Sequence, residues 1–212
     1  MNNKHERLIL YISLATILST SVLFISLPIF DCAKVKRIVP ELNLSQLCHA
    51  DVSENQWEYI VIHHSATEKG NAARFDDYHR KKRKWEHGLA YHFVIGNGSF
   101  SGDGEIEVSE RWKKQIHGAH TANMNCNRVA IGICLVGDFE NGGTPTNNQF
   151  ESLVALVQYL SRRYNISLSD VLLHKQVFQK GTACPGKNFP FAEFKTRLLR
   201  IASKTNNSHI AF

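Results

Sequence analysis

The pattern of apolar and charged positions divides the chain of 212 residues into two regions of different character. Residues 8–30 contain no charged side chain. As a helix, this segment would be about 34 Å long, close to the thickness of the hydrocarbon core of a bilayer. A cleavable signal peptide has a shorter apolar core and a small-x-small site after it. The residues at the end of this segment, PIFDCA (28–33), offer no good site of that kind. We therefore expect residues 1–30 to be an uncleaved membrane anchor, with a cleaved signal as the alternative.

From residue 51 onward, strand-like segments alternate with segments of helical period, which is typical of an α/β protein. The strands are predicted, in chain order, at residues 57–64, 91–96, 105–112, 129–139 and 171–174. The helices are predicted at residues 72–85, 146–164 and 191–203. We expect a single domain at residues 51–203, with a central mixed β-sheet flanked by helices. Residues 31–50 are assigned to a linker and residues 204–212 to a tail.

Two of these elements have the clearest signals. The run VAIGICLVGDF at 129–139 is almost continuously apolar, which is typical of a buried central strand. Thr146 and Gln149 have the spacing of a capping box at the start of a helix. An apolar stripe at helical spacing follows them, formed by Phe150, Leu153, Val154, Val157 and Leu160.

Composition indicates a folded chain but does not identify its partner. Apolar residues make up 43% of the sequence and charged residues 21%, which suits a packed globule. The formal charge of +6 suits an anionic partner such as nucleic acid, lipid headgroups or cell-wall polymer. The basic run at 80–84 is typical of a solvated helix face. Because no zinc-finger spacing or aromatic RNA-binding signature accompanies it, we expect no nucleic-acid partner.

Histidine and cysteine residues are the candidates for chemistry. His63 and His64 end the first predicted strand, and only one of them can face a given site because successive strand side chains point to opposite faces. His174 ends a later strand, and Cys184 follows in a loop. Two imidazoles and a thiolate are suitable ligands for Zn²⁺ and would leave a fourth position open. The spacing alone favours another interpretation, in which His174 is a hydrogen-bonded core histidine and Cys184 a buried thiol or a disulfide half.

Six segments of the chain, in order, resemble the zinc amidase family that includes N-acetylmuramoyl-L-alanine amidases, amidase-type bacteriophage lysozymes and animal peptidoglycan recognition proteins. The resemblance covers roughly two-thirds of the sequence, from about residue 57 to residue 190. The segments are IVIHHSAT (60–67), the helix ending in KRKW (82–85), GLAYHFVIG (88–96), HGAHTANMNCNRVAIGICLVGDF (117–139), the helix starting PTNNQ, and LLHKQVFQKGTACPG (172–186).

The resemblance implies an activity and roles for individual residues. The implied reaction is zinc-dependent hydrolysis of the amide bond between N-acetylmuramic acid and L-alanine in peptidoglycan. His63, His174 and Cys184 match the zinc ligands of the family. Tyr91 matches a tyrosine beside the metal that would position water or stabilise the oxyanion, and Thr182 would supply a second hydrogen bond.

The resemblance also suggests residues that contact the substrate. His120 matches a position that lines the substrate groove. The interval from His174 to Cys184 is two residues longer than in the phage enzymes, so Lys180 is an alternative for the place that lysine occupies there. His64 is expected to pack or to form a hydrogen bond instead of binding the metal, and it is assigned with His120 and Lys180 to substrate binding. No general base is assigned.

Rival functions follow from the same resemblance. Some members of the family bind peptidoglycan fragments without hydrolysing them, and these commonly lack the third ligand, so Cys184 favours the enzyme. Another hydrolase that cuts a different cell-wall bond is a further alternative.

The expected partners are peptidoglycan or muropeptides and, through the N-terminal helix, the membrane. We expect an exported monomer, anchored in the inner membrane and facing the periplasm or cell wall, or secreted if the N-terminal segment is cleaved.

Overall fold

The computed structural model describes residues 43–177 and 181–208, with side chains described up to residue 201. A mixed five-stranded β-sheet lies at the centre of the fold. The strands, in chain order, are β1 (Tyr59–His64), β2 (Phe93–Ile95), β3 (Ile106–Val108), β4 (Ala130–Leu135) and β5 (Val171–Leu173). Their order across the sheet is β3-β2-β4-β1-β5. β1 runs parallel to β4 and to β5, and β2 runs parallel to β4, whereas β2 and β3 form an antiparallel pair. The predicted mixed α/β architecture is therefore confirmed.

The helices pack around this sheet. They are α1 (Leu44–Leu47), α2 (Ala72–Lys81), α3 (Glu110–Lys113), α4 (Met124–Val129), α5 (Asn147–Tyr164), α6 (His174–Val177) and α7 (Phe191–Ser208), with a short 3-10 helix at Leu168–Asp170. α5 begins where the capping-box spacing predicts, because the Thr146 side chain accepts the Gln149 amide and the Gln149 side chain accepts the Thr146 amide. It ends at Asn165, whose φ of 55° is left-handed.

The two faces of the sheet have different roles. Alternate residues of β1 and β4, such as Ile60 and Ile133, belong to the main core together with α5 and α7. Cys134 lies on the opposite face, in a smaller cluster with Val94 and Leu89. All six residues of β4 are buried, as expected for a central strand.

The first described residues pack on this body. Cys48, at the end of α1, is completely buried. Its carbonyl oxygen accepts hydrogen bonds from Trp112 Nε1 (3.1 Å) and from Arg163 Nη1 (3.0 Å). The last residues of the segment assigned to a linker are thus bonded to the core.

The expected anchor or signal at residues 1–30 lies outside the described residues. Across the part of the chain that is described, no helix combines the length and apolar character needed to span a bilayer.

Some predicted elements differ from the structure. The strand predicted at residues 105–112 ends at Val108, because Ser109 caps the helix α3 that follows it: the Ser109 side chain accepts the Trp112 amide. The strand predicted at residues 129–139 ends at Leu135.

The helix predicted to reach residue 85 ends at Lys81. The chain reverses at Lys84, whose φ of 59° is left-handed, and the Trp85 amide donates to the carbonyl oxygen of His79. This reversal places the Trp85 ring against the His79 ring, with 4.8 Å between the ring centroids.

Candidate metal centre

The paired histidines lie at the carboxyl end of β1, and the pairing of β1 with β4 determines which of them faces the site. His63 is level with Cys134 of β4 in the parallel pairing and lies on the face opposite the main core. His64 points the other way and packs against Phe139, with 5.8 Å between the ring centroids. His63 is only 1% exposed, so the fold presents its ring from a rigid, buried position.

Three side chains meet at this edge of the sheet. β5 pairs with β1 in parallel, with Leu173 level with Ile62, so His174 emerges at the same end of the sheet as His63. Cys184 arrives from the loop that precedes α7. The donor atoms of His63, His174 and Cys184 all lie within 4.8 Å of one another. Cys184 Sγ is 3.7 Å from His63 Nδ1, and the centroids of the two imidazole rings are 4.6 Å apart.

Backbone contacts fix the position of Cys184. The His64 amide donates to Cys184 Sγ (3.4 Å), and the Lys175 amide donates to the Cys184 carbonyl oxygen (2.9 Å). The Cys184 amide in turn donates to Thr182 Oγ1 (3.1 Å). The loop is therefore attached both to β1 and to α6, which explains how residues about 120 positions apart share one site.

The protonation states of the two imidazoles suit a cation, whereas the thiol must lose its proton. Burial lowers the pKa of His63 well below 6.5, with a further contribution from the neighbouring His120 and His174, and burial also lowers the pKa of His174. Both rings are therefore neutral at pH 7 and can offer a lone pair. Burial raises the pKa of the Cys184 thiol to about 12. A cation that binds there must displace the thiol proton, so binding is coupled to proton release.

This donor set fits zinc. Two nitrogens and a sulfur are borderline-to-soft ligands, which zinc accepts and which magnesium and calcium do not. Three protein ligands leave a fourth position for water or substrate, as in catalytic zinc sites.

Tyr91 lies beside this cluster. Its ring centroid is 5.2 Å from that of His63. Burial raises the pKa of Tyr91 well above 10, and the nearby Cys134 and Cys184 thiols raise it further. Tyr91 is therefore a neutral phenol at physiological pH and can act as a hydrogen-bond donor.

The remaining candidates occupy different surroundings. His120 is 5% exposed and lies behind His63, with Nδ1 3.1 Å from His63 Nε2. His64 Nδ1 accepts the Phe139 amide (3.0 Å), as expected of a histidine that forms a hydrogen bond. Lys180 lies outside the described residues.

The segments that carry Tyr91 and His120 are linked by Arg111, which sequence reasoning does not identify. Its buried guanidinium donates to the carbonyl oxygens of Leu89 and His117. The residues on either side of the cluster are thereby attached to one rigid group. The charge of Arg111 gives no sequence signal for this role, because basic residues are mostly exposed.

The loop after Cys184 gives a stability prediction. Gly186 has a φ of +99°, and a Cβ atom there would lie 2.3 Å from the carbonyl carbon of Phe139 and 2.4 Å from the Glu140 amide nitrogen. Because these neighbours are backbone atoms, they cannot move aside. We expect Gly186→Ala to destabilise the fold by more than about 2 kcal/mol in urea unfolding. Gly142→Ala is the control, since Gly142 also has a positive φ (+115°) but has no atom within 4 Å of the added Cβ. Equal losses in both variants would contradict the close approach.

A buried histidine next to the site gives a pH prediction. Burial lowers the pKa of His92 from 6.5 to about 3. The unfolded chain takes up a proton below pH 6.5 and the folded chain does not, so this contribution to stability is complete above pH 6.5 and declines as the pH falls. At pH 5 the loss from this ring is about 2 kcal/mol. We expect the urea midpoint of the metal-free chain to be clearly lower at pH 5 than at pH 7; an unchanged midpoint would contradict a neutral buried ring.

The mixed sheet presents two imidazoles at the carboxyl ends of its parallel strands, and a loop brings a thiol to them. This arrangement defines an α/β protein with a candidate mononuclear metal centre. Residues 53–187 match the family of N-acetylmuramoyl-L-alanine amidases. Because the match covers more than half of the sequence, the chain belongs to this family.

Individual relatives agree with this assignment. The endolysin of Klebsiella phage KP32 is 30% identical over 135 residues, which cover 59% of this chain and 78% of the endolysin. The N-acetylmuramoyl-L-alanine amidase LysC from Clostridium intestinale URNW is 34% identical with a TM-score of 0.58, covering 70% of this chain and 91% of LysC. A mutant of the Drosophila peptidoglycan recognition protein PGRP-LB, in complex with tracheal cytotoxin, is 25% identical with a TM-score of 0.51, covering 68% of this chain and 86% of PGRP-LB. The family and the first two relatives support a peptidoglycan amidase activity.

Proposed function

We propose that this protein is a zinc-dependent amidase that hydrolyses the bond between N-acetylmuramic acid and the L-alanine of the peptide stem. The observation that carries the proposal is the convergence of His63, His174 and Cys184, whose donor atoms lie within 4.8 Å of one another. His63 comes from β1, His174 directly follows β5 and Cys184 lies in the loop before α7, and all three side chains are neutral when no cation is present. A core histidine and an inert thiol would not require this arrangement.

Each ligand has a definable task in the proposed site. Zinc, when bound, would supply hydroxide near neutral pH and polarise the scissile carbonyl. His63 and His174 would offer lone pairs at pH 7 because burial keeps them neutral. Cys184 would bind as the thiolate after losing its proton, and the His64 amide already donates to its sulfur and would stabilise that charge.

Two further side chains would act on the substrate. Tyr91 is a neutral phenol next to His63, so its hydroxyl can donate to the oxyanion that forms when the amide carbonyl is attacked. The Thr182 hydroxyl accepts the Cys184 amide, and its own proton stays available for a second hydrogen bond. Both groups are carried by segments that are bonded to the metal-binding residues, so their positions would be fixed before substrate binds.

A peptidoglycan-binding module without activity is the second candidate. The structural relationship to a recognition protein in complex with tracheal cytotoxin favours it. The complete set of three ligands favours the enzyme, because a protein that only binds the polymer has no use for a cation with an open position.

Digestion of purified peptidoglycan by the full chain separates these functions. We expect stem peptides with a free L-alanine amino group to appear in the mass spectrum when zinc is present, and to disappear after chelation. Binding of the chain to a wall that stays intact would favour the recognition module. Products cut at another bond would show a different cell-wall hydrolase.

We also propose that residues 1–30 place the domain outside the inner membrane, where its substrate would lie. The uncharged stretch at residues 8–30 supports this location. Fractionation of cells that express the full chain, with protease added from outside, tests the proposal: a domain that stays protected in intact spheroplasts would contradict it.

A further inference from the structure

The ring of His120 is oriented by two contacts. Nε2 lies 3.2 Å from the carbonyl oxygen of Ala130, and Nδ1 lies 3.1 Å from His63 Nε2. Both nitrogens of a buried ring are therefore directed at groups within the protein, and one of those groups is the first member of the metal cluster.

These contacts set the positions of the protons. A carbonyl oxygen can only accept, so His120 Nε2 carries a hydrogen. In a neutral ring, Nδ1 then has the lone pair and accepts the hydrogen on His63 Nε2. His63 Nδ1 is left without a hydrogen, and it is this atom that lies 3.7 Å from Cys184 Sγ. The contact with Ala130 thus determines, through two rings, which nitrogen of His63 is free.

The ring of His120 packs closely against the backbone at two glycines. A Cβ atom at Gly118 would lie 2.3 Å from His120 Cδ2, and one at Gly132 would lie 2.4 Å from the same atom. The ring therefore occupies a slot that exists because both neighbours are glycine. Gly132 has a second constraint, since its amide donates to His92 Nδ1 (2.9 Å). The slot is consequently built into the central strand β4.

We propose that His120 is a positioning residue that holds His63 as the Nε2–H tautomer and makes Nδ1 the metal-binding atom. Its consequence for zinc rests on the proposed function, whereas the tautomer is a property of the metal-free chain. Hydrogen bonds of this kind to metal-binding histidines orient the ring and strengthen binding, and their loss typically weakens metal affinity about 10–100-fold.

The tautomer can be read directly. In metal-free full chain labelled with ¹⁵N-histidine, we expect the His63 resonances to show hydrogen on Nε2 and none on Nδ1. Cadmium-113, used as a probe of the site, should couple to His63 Nδ1. Hydrogen on Nδ1, or coupling of the metal to Nε2, would overturn the proposal.

Two substitutions of His120 separate the contacts. Glutamine can still reach the Ala130 carbonyl oxygen, whereas asparagine places its amide oxygen near the former Nδ1 and can accept from His63. We expect His120→Gln to weaken zinc binding about 10–100-fold in chelator competition and His120→Asn to weaken it less. His117→Gln is the control, because the described contact of the His117 ring is to the adjacent Gly118 carbonyl oxygen (2.9 Å). Wild-type affinity in His120→Gln would contradict the inference.

These outcomes are distinct from those of the proposed function. If the chain shows the Nε2–H tautomer of His63 but does not cleave peptidoglycan, the positioning role of His120 stands and the proposed amidase function is wrong. If the chain cleaves peptidoglycan while His63 binds the metal through Nε2, the amidase function stands and the positioning role of His120 is wrong.

Discussion

Replacement of Cys184 by alanine is expected to remove bound zinc and to lower amidase activity about a thousandfold or more. The sulfur is one of three protein donors within 4.8 Å of one another, and two imidazoles alone form a much weaker site. Loss of the ion would remove several kcal/mol of transition-state stabilisation, and each 1.4 kcal/mol is about tenfold in rate. Zinc content measured by atomic emission, together with peptidoglycan digestion, checks both effects in one preparation.

The controls for this result come from the same chain. Cys126→Ala removes a half-buried cysteine of α4 that is not part of the metal cluster, and it should leave zinc content and activity unchanged. His174→Ala should reproduce both losses. Zinc that is retained at full stoichiometry in Cys184→Ala or in His174→Ala would overturn the ligand assignment, whatever happens to activity.

Replacement of Tyr91 by phenylalanine is expected to separate metal binding from turnover. The ring contact with His63 persists in this variant, and only the hydroxyl is lost. We expect full zinc content with kcat lowered about 10²–10³-fold, the usual effect of removing one donor to a developing oxyanion. Tyr78→Phe, at an exposed position of α2, is the matched control and should show wild-type kinetics. Wild-type turnover in Tyr91→Phe would remove this hydroxyl from the mechanism.

The elements that the sequence predicts well are those with a local signal. The capping box at Thr146 and Gln149 and the stripe that follows them predict α5, and the apolar run containing β4 predicts its central place. The short helix α4 is not predicted, and most of α3 is wrongly predicted as the end of a strand, because four to six residues do not display a periodic apolar face. The chain reversal after α2 depends on the left-handed conformation of Lys84. A lysine gives no sequence signal for that conformation, which is usually adopted by glycine or asparagine.

The site shows a similar division. Alternation along β1 predicts that only one of His63 and His64 faces the cluster, but the choice depends on the pairing of β1 with β4. That pairing joins residues about 70 positions apart and is not visible in a local pattern. The same limit applies to His120, whose position behind His63 depends on the slot between two glycines. Family resemblance supplied the three candidate ligands, and the structure added the distances between their donor atoms.

The central claim is that one zinc ion bound by His63, His174 and Cys184 is required for cleavage of the amide bond. The most direct test is to titrate zinc into the metal-free full chain while the release of stem peptides from peptidoglycan is measured. We predict that activity is absent without metal, rises in proportion to added zinc and reaches its maximum at a single ion per chain. Peptide release at full rate from the metal-free chain, with no response to zinc, would contradict the account.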